Sequence, residues 1–283
     1  MAGPDRLASE RRRGRRRRFT MGLSTLLGRK RGFFIPHRYA GAIAPCGYPG
    51  LEARLAACVP AFDSVLVAIA ARGERLGEMR GPAPEPRLDQ AWFPILDAAA
   101  AYAIVRRARP ERIVEVGSGH STRFLARAVA DETLGTELVC IDPAPRASLR
   151  GLPVRWIEAV VQRAPETLFA DLRAGDVLFV DSSHVLMPGT DVDWILNRIL
   201  PGLPGGVLLH FHDVFMPDAY PESWAWRGYN EQQALAPLLQ GPAYDCLFAS
   251  HYIRTRLQSR LAILARLPPA AAPESSVWLQ KRG

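Results

Sequence analysis

The 283-residue chain is short of cysteine and of long apolar runs, and each shortage narrows what it can be. Its four cysteines, Cys46, Cys58, Cys140 and Cys246, lie far apart with no CxxC pair. That excludes a zinc ribbon or a disulfide-built scaffold and fits a reducing, cytoplasmic setting. No stretch of about 18 apolar residues occurs, and no apolar segment follows the N-terminal arginines, so neither a spanning helix nor a secretory signal is read. Internal repeats and long low-complexity segments are lacking in the body of the chain. With 48% hydrophobic, 23% charged and 8% aromatic residues, the composition excludes a mainly disordered, collagenous or coiled-coil protein. The length suits one large α/β domain or one domain with a substantial extension.

The formal charge of +8 is unevenly spread. Residues 1–20 hold eight arginines against Asp5 and Glu10, a net +6 that leaves only +2 for everything after them. A run such as RRRGRRRRF buries no apolar surface and repels itself, so a disordered arm is expected over 1–20. Met21 opens an ordinary start, MGLSTLLG, and the arm is therefore read as not belonging to the working protein. A functional arm would bind phosphate-rich partners or an anionic membrane surface. The expectation is no nucleic-acid partner and no membrane partner.

Residues 21–88 read as a helical cap and linker. LEARLAACVPAFDSVLVAIAARGERLGEM has helical apolar spacing broken at Pro60, and GPAPEPRL (81–88) is too proline-rich for regular helix. From Asp89, an expected N-cap, DQAWFPILDAAAAYAIVRRA reads as one helix with an arginine-rich last turn. Beyond Pro110, short β-branched runs alternate with helical stretches: strands at 112–116, 137–141, 154–158, 176–180 and 206–211, with helices near 121–130, 165–172 and 190–200. Runs at 244–249 and 275–280 read as two late strands, the last antiparallel. Residues 89–283 are thus expected to form a doubly wound, Rossmann-like α/β domain with about seven mostly parallel strands.

RIVEVGSGHSTRFLARA (112–128) places a Gly-Ser-Gly turn between a strand and a helix. Gly117 and Gly119 permit close backbone approach to a ligand, and Ser121 and Thr122 cap a helix whose free N–H groups face it, so a nucleotide-like cofactor belongs there. Asp142 ends the next strand, placed to accept the ribose hydroxyls of an adenosine. A nicotinamide-dependent oxidoreductase shares these features but would want a third glycine where Thr122 stands. Glu115 would repel a pyrophosphate, yet pairs naturally with an α-ammonium group.

VEVGSGHST, CIDP, GDVLFVDSSH and PGGVLLHFHDVF, in this order over about residues 90–280, resemble the motifs of class I S-adenosylmethionine-dependent methyltransferases, in particular the bacterial branch with small-molecule or sugar acceptors. The resemblance implies O-methylation of a small molecule or glycan. It assigns Glu115, Gly117, Ser118, Gly119, Ser121 and Thr122 to the cofactor's first motif, Asp142 to its ribose, Glu158 and Ala159 to its adenine, and Asp181 and Ser182 to the region of the transferred methyl.

DVLFVDSSHV ends a parallel strand with Asp181 and His184 where open α/β sheets place ligands, and His184 is read as the general base. VLLHFHDVF puts His210 and His212 on one strand face with Asp213 beside them. In related catechol-type and antibiotic-type enzymes, acidic residues at these two strand ends hold magnesium. Asp181, Asp213 and His212 occupy the matching positions, with Val214 where a further ligand is usual. Magnesium prefers oxygen ligands, and HFHD is cramped for a two-histidine-one-carboxylate site, so a metal-free mechanism with His184 or His212 as base stays open. MPDAYPESWAWRGYNEQQALAPLL (216–239) is expected to wall the acceptor site through Trp224, Trp226 and Tyr229, or to pack on the cap. Asn230 and Glu231 begin a helix there, from which Glu231 could reach the pocket. Arg254, Arg256 and Arg260 form a solvated face or read an anionic group. A homodimer is compatible with an exposed apolar cap helix, and the remaining alternative is a nucleic-acid-binding protein acting through the arm.

Overall fold

The computed structural model describes residues 4–28, 38, 39, 42 and 44–283, with side chains from residue 12 onward. A single seven-stranded sheet organises them: β1 (Arg112–Val116), β2 (Glu137–Ile141), β3 (Arg155–Ile157), β4 (Val177–Val180), β5 (Leu208–Phe211), β6 (Tyr244–Ala249) and β7 (Val277–Lys281), in the order β3-β2-β1-β4-β5-β7-β6. Strands β1 to β5 pair in parallel, and β7 runs antiparallel to both β5 and β6. The central strands β1, β2, β4 and β5 are buried nearly throughout, which is why they read as continuous apolar runs rather than as alternating ones. Strand order reverses between β1 and β4, so a crevice opens beyond their carboxyl ends, the place where this architecture binds ligands.

The helices are α1 (Pro4–Leu26), α2 (Gly50–Ala57), α3 (Val59–Ala70), α4 (Gly73–Gly77), α5 (Ile95–Ala108), α6 (His120–Asp131), α7 (Thr167–Ala170), α8 (Asp191–Trp194), α9 (Leu200–Gly202), α10 (Glu231–Gln240) and α11 (Ser250–Arg256). A π-helical turn, Ile195–Ile199, joins α8 to α9. Ala98 to Ala101 are fully buried, and their small side chains let α5 lie close against α6. α3 packs on α5 and β6 through Phe62, Val65, Leu66 and Ile69, so this part of the expected cap shares one hydrophobic core with the sheet.

Two expectations are corrected. The helix read from Asp89 begins only at Ile95, because Gln90 turns the chain first: its side-chain oxygen accepts the N–H groups of Trp92 and Phe93 at 2.7 and 2.8 Å, and Pro94 follows in an extended conformation. The arm expected to be disordered is helical from Pro4, as arginine's high helix propensity allows. It is also anchored. Gly14 lies so close to the indole of Trp226 that an added Cβ would sit 2.7 Å from the ring, and Arg18 Nη1 donates to the Ala225 carbonyl at 3.5 Å.

Candidate active site

The glycine turn after β1 is built around Glu115. Its side chain is fully buried, and its carboxylate accepts the hydroxyls of Ser121 and Thr122, each at 2.6 Å, with the Cys140 thiol at 3.3 Å. Thr122 Oγ1 in turn accepts the Gly119 N–H at 2.9 Å, so the first turn of α6 is tied to β1 through one carboxylate. Burial pushes the Glu115 carboxyl up to about 7 against the pull of these donors. Glu115, Ser121 and Thr122, all three expected at the cofactor's first motif, are thus hydrogen-bonded to one another inside the protein. Gly117 likewise serves the chain. At φ +83°, a Cβ there would lie 1.8 Å from the Asp181 carbonyl oxygen, so only glycine lets the ends of β1 and β4 cross.

What faces the crevice is a different subset. Asp142, half-buried at the end of β2, accepts the N–H groups of Ser118 and Ala144 at 2.7 Å each, which fixes its carboxylate and leaves lone pairs on both oxygens. The buried hydroxyls of Ser118 and Ser182, on either side of the Gly117 crossing, have no hydrogen-bond partner among the described residues. Buried hydroxyls are seldom left so, and these two fit a polar ligand lying over the crossing. Glu158 is exposed and Ala159 half-buried just past β3, on the same edge as Asp142.

Beyond β4 and β5 lies a cluster of titratable groups. Asp181 Oδ1 is 3.2 Å from His184 Nε2 and 3.5 Å from His212 Nδ1. Asp213 places one oxygen 3.4 Å from His184 Nε2 and the other 3.5 Å from His212 Nδ1. Asp181, His212 and Asp213 each direct one ligand atom to a common point, the atoms lying within 4.8 Å of one another. The outer nitrogens are also held: His184 Nδ1 by Glu231 at 2.8 Å, and His212 Nε2 by Asp97 at 3.3 Å. Burial disfavours both imidazolium ions, yet the surrounding carboxylates outweigh it and hold both histidines well above their ordinary pKa. Burial also opposes the Asp181 charge, but His212 and His184 hold that carboxyl well below its ordinary range.

His210, expected beside His212 at the site, belongs to the core. Its Nε2 meets Ser276 Oγ at 2.8 Å, its ring stacks on Phe179 at 3.7 Å, and burial, with the charge of His212, holds it neutral. The segment 216–230 divides its aromatics. Tyr229 sits 4.7 Å from the His184 ring, Trp224 packs edge-on against Phe215, and Trp226 receives α1. Arg227 lies 3.9 Å over Trp224, with Nη1 also 3.9 Å from Asp213. Arg254, Arg256 and Arg260 pair with Glu274, Asp218 and Asp63, so none of them is aimed at the crevice.

Asp97 and Arg227 are the site residues that sequence reasoning missed, and Glu231 it placed first as a helix start. Asp97 left one signal, an acidic residue on the apolar face of an alanine-rich helix, where an unpartnered carboxylate would be costly.

A family model described as a methyltransferase domain matches residues 114–214. Among solved structures, the chain is similar to the SAH-bound methyltransferase PaMTH1 of Podospora anserina, with 20% identity, 89% of this chain and 100% of that chain covered, and a TM-score of 0.41. It is similar also to a putative O-methyltransferase from Klebsiella pneumoniae (16% identity, 77% and 90% covered, TM-score 0.39) and to the O-methyltransferase from Bacillus cereus in complex with SAH (12%, 78% and 91%, 0.41). Among curated proteins the chain has no sequence match. The seven-stranded sheet with its one antiparallel strand and the glycine turn at the strand-order switch agree with the match to a methyltransferase domain over residues 114–214.

Proposed function

We propose that the protein transfers the methyl group to a hydroxyl of a small molecule or glycan, assisted by a divalent metal at Asp181, His212 and Asp213. The observation that carries this reading is the convergence of those three side chains beyond β4 and β5, one strand away from the Gly117 crossing. Their donor set suits an ion. Two carboxylates and an imidazole face a common point, and the imidazole's far nitrogen is held by Asp97, the outer carboxylate that fixes a ligating histidine. The nitrogen donor favours a transition ion such as Mn2+ over the magnesium expected from the sequence. When bound, the ion would lower the pKa of the acceptor hydroxyl, and S-adenosylmethionine would supply an electrophilic methyl group.

The chain's own residues do the rest. Asp142 accepts from the ribose, and Ser118 and Ser182 hold the cofactor over the crossing. His184 takes the acceptor proton at Nε2, with Glu231 on Nδ1 fixing the ring, the relation of base to orienting carboxylate. Tyr229 and Arg227 close the acceptor side. This arrangement favours the metal-assisted route: a cation at Asp181 and Asp213 would offset the carboxylate charge that holds the His184 ring protonated and so free its Nε2 to take a proton, which a metal-free site would not do. It also disfavours the oxidoreductase alternative, since Thr122 faces inward and leaves no third glycine for a pyrophosphate.

Calorimetric titration of S-adenosylhomocysteine into the full chain and into Asp142→Ala tests the cofactor half. Binding that weakens by about tenfold or more in the variant is expected, and binding of NAD instead would overturn it. Methyl transfer to hydroxylated acceptors should vanish on chelation and in His212→Ala, and return with Mn2+ more fully than with Mg2+. Activity indifferent to chelator would refute the metal.

A further inference from the structure

The arginine-rich helix plays no part in the site just described, and its placement in the fold sorts its residues by face. Gly14 and Arg18, one turn apart, hold α1 against the 222–227 segment. The helical repeat puts Phe19 roughly 140° around from Gly14, so the stripe it starts points away from the protein. Phe19, Leu23, Leu26 and Leu27 follow at i, i+4, i+7 and i+8, and they are 70%, 46%, 70% and 74% exposed. Arg15 and Arg16 continue the same stripe one turn toward the N-terminus, also exposed. Four large apolar side chains in line, with arginines at their head, form the only exposed apolar stripe of this length among the described residues.

We propose that this outward face of α1 docks on an anionic lipid bilayer, lying in the headgroup region with the apolar stripe inserted and the arginines on lipid phosphates. Charge decides the kind of membrane. Five arginines, Arg12, Arg13, Arg15, Arg16 and Arg17, besides the Arg18 that holds the helix to the protein, supply the attraction to an anionic surface that a neutral one cannot return. The apolar stripe decides between a membrane and a nucleic acid. Phosphates on DNA or RNA would engage the arginines alone and leave Phe19, Leu23, Leu26 and Leu27 in water, whereas a bilayer uses both. The contact is peripheral, since no single helix among the described residues is long and apolar enough to cross a membrane. This reverses the sequence expectation of no membrane partner. It also brings the lipid surface to the segment that walls the active site, because α1 rests on Trp226 and Tyr229 of the same segment rests on His184.

The test is co-sedimentation of the full chain with phosphatidylcholine vesicles, with and without phosphatidylglycerol, alongside binding to double-stranded DNA. Two variants accompany it: Phe19→Ser with Leu23→Ser, Leu26→Ser and Leu27→Ser, and Arg15→Gln with Arg16→Gln. All six positions are exposed, so an unchanged thermal melt certifies that each variant folds. The expected result is binding to phosphatidylglycerol vesicles that falls about tenfold or more on removal of the anionic lipid and in each variant, with DNA binding insensitive to the serine substitutions. Vesicle binding that ignores the serine substitutions, DNA binding tighter than vesicle binding, or no binding to anionic vesicles by the folded wild type would each overturn the proposal.

Discussion

Glu115→Gln should make the protein more stable above neutrality, and the size of the gain follows from where the carboxyl sits. The side chain is fully buried at the end of β1, and burial lifts its pKa from 4.5 to about 7 although two hydroxyls and a thiol donate to it. Between those values the folded protein keeps a proton that the unfolded chain has released. Stability therefore falls as pH rises from about 4.5 through about 7, and levels off above it. The rise corresponds to about 3 kcal/mol at the plateau. Glutamine never ionises, has the same shape, and can still accept from Thr122 while offering its amide to Ser121 Oγ. Some hydrogen-bond strength is lost in that exchange, roughly 1 kcal/mol. The variant is then expected to gain about 1–3 kcal/mol over wild type at about pH 8 and to show little or no gain at about pH 5. Urea unfolding midpoints of both proteins across this range are the assay. Because the other titrating groups are common to both, only the difference between the two curves matters. Parallel curves would refute the reasoning, since they would mean that Glu115 is ionised equally in folded and unfolded states.

Gly117→Ala should cost about 3 kcal/mol or more, from the positive φ and from a Cβ that would stand 1.8 Å from the Asp181 carbonyl oxygen; a melting temperature within a degree or so of wild type would contradict the tight crossing. Asp97→Asn should destabilise by about 3 kcal/mol. Each carboxylate oxygen of Asp97 receives a backbone N–H, from Ser275 at 2.9 Å and Ser276 at 3.1 Å, so the amide group of asparagine must oppose one of them whichever way it turns. The denaturation midpoint reports the loss, and an unchanged midpoint would show the network to be dispensable.

The sheet could be read from the chain almost strand by strand, because parallel strands buried on both faces are short, β-branched and bounded by turn residues. RIVEV, ELVCI and YDCLFA matched to the residue, whereas VRWIE shrank to Arg155–Ile157 at the sheet edge. The site was read less completely, for a reason of distance. Asp181, His212 and Asp213 lie at strand ends, where topology alone predicts chemistry, and the structure brings the three together. The partners that orient the histidines lie 47 and 115 residues away in the chain, on helices, with only an acidic residue on an apolar face (Asp97) and one at a helix start (Glu231) to hint at them. Direction was the other gap. Nothing in EVGSGHST tells a carboxylate that faces a cofactor from one that turns inward to cap a helix, and Glu115 does the second.

A strand alternates its side chains, so His212 and Asp213, consecutive at the end of β5, should face opposite sides of the sheet. The backbone resolves this at one residue. Asp213 has φ +56°, a left-handed conformation rare for a side-chain-bearing residue, and the turn it makes brings its carboxylate to within 3.5 Å of His212 Nδ1. His184 does the same after β4, at φ +59°, and its ring comes back over Asp181 instead of following the loop outward. Two such residues cost of order 1 kcal/mol or more each, and both are buried in the same cluster. The strain is held by contacts from outside the two strands: Glu231 on His184, Ser275 Oγ on Asp213 at 3.4 Å, and the Ser275 carbonyl accepting the Val214 N–H at 2.8 Å. α10 and the approach to β7 thus support a geometry that β4 and β5 alone would not adopt, and the late part of the chain is needed to hold together a cluster whose converging side chains all come from its middle.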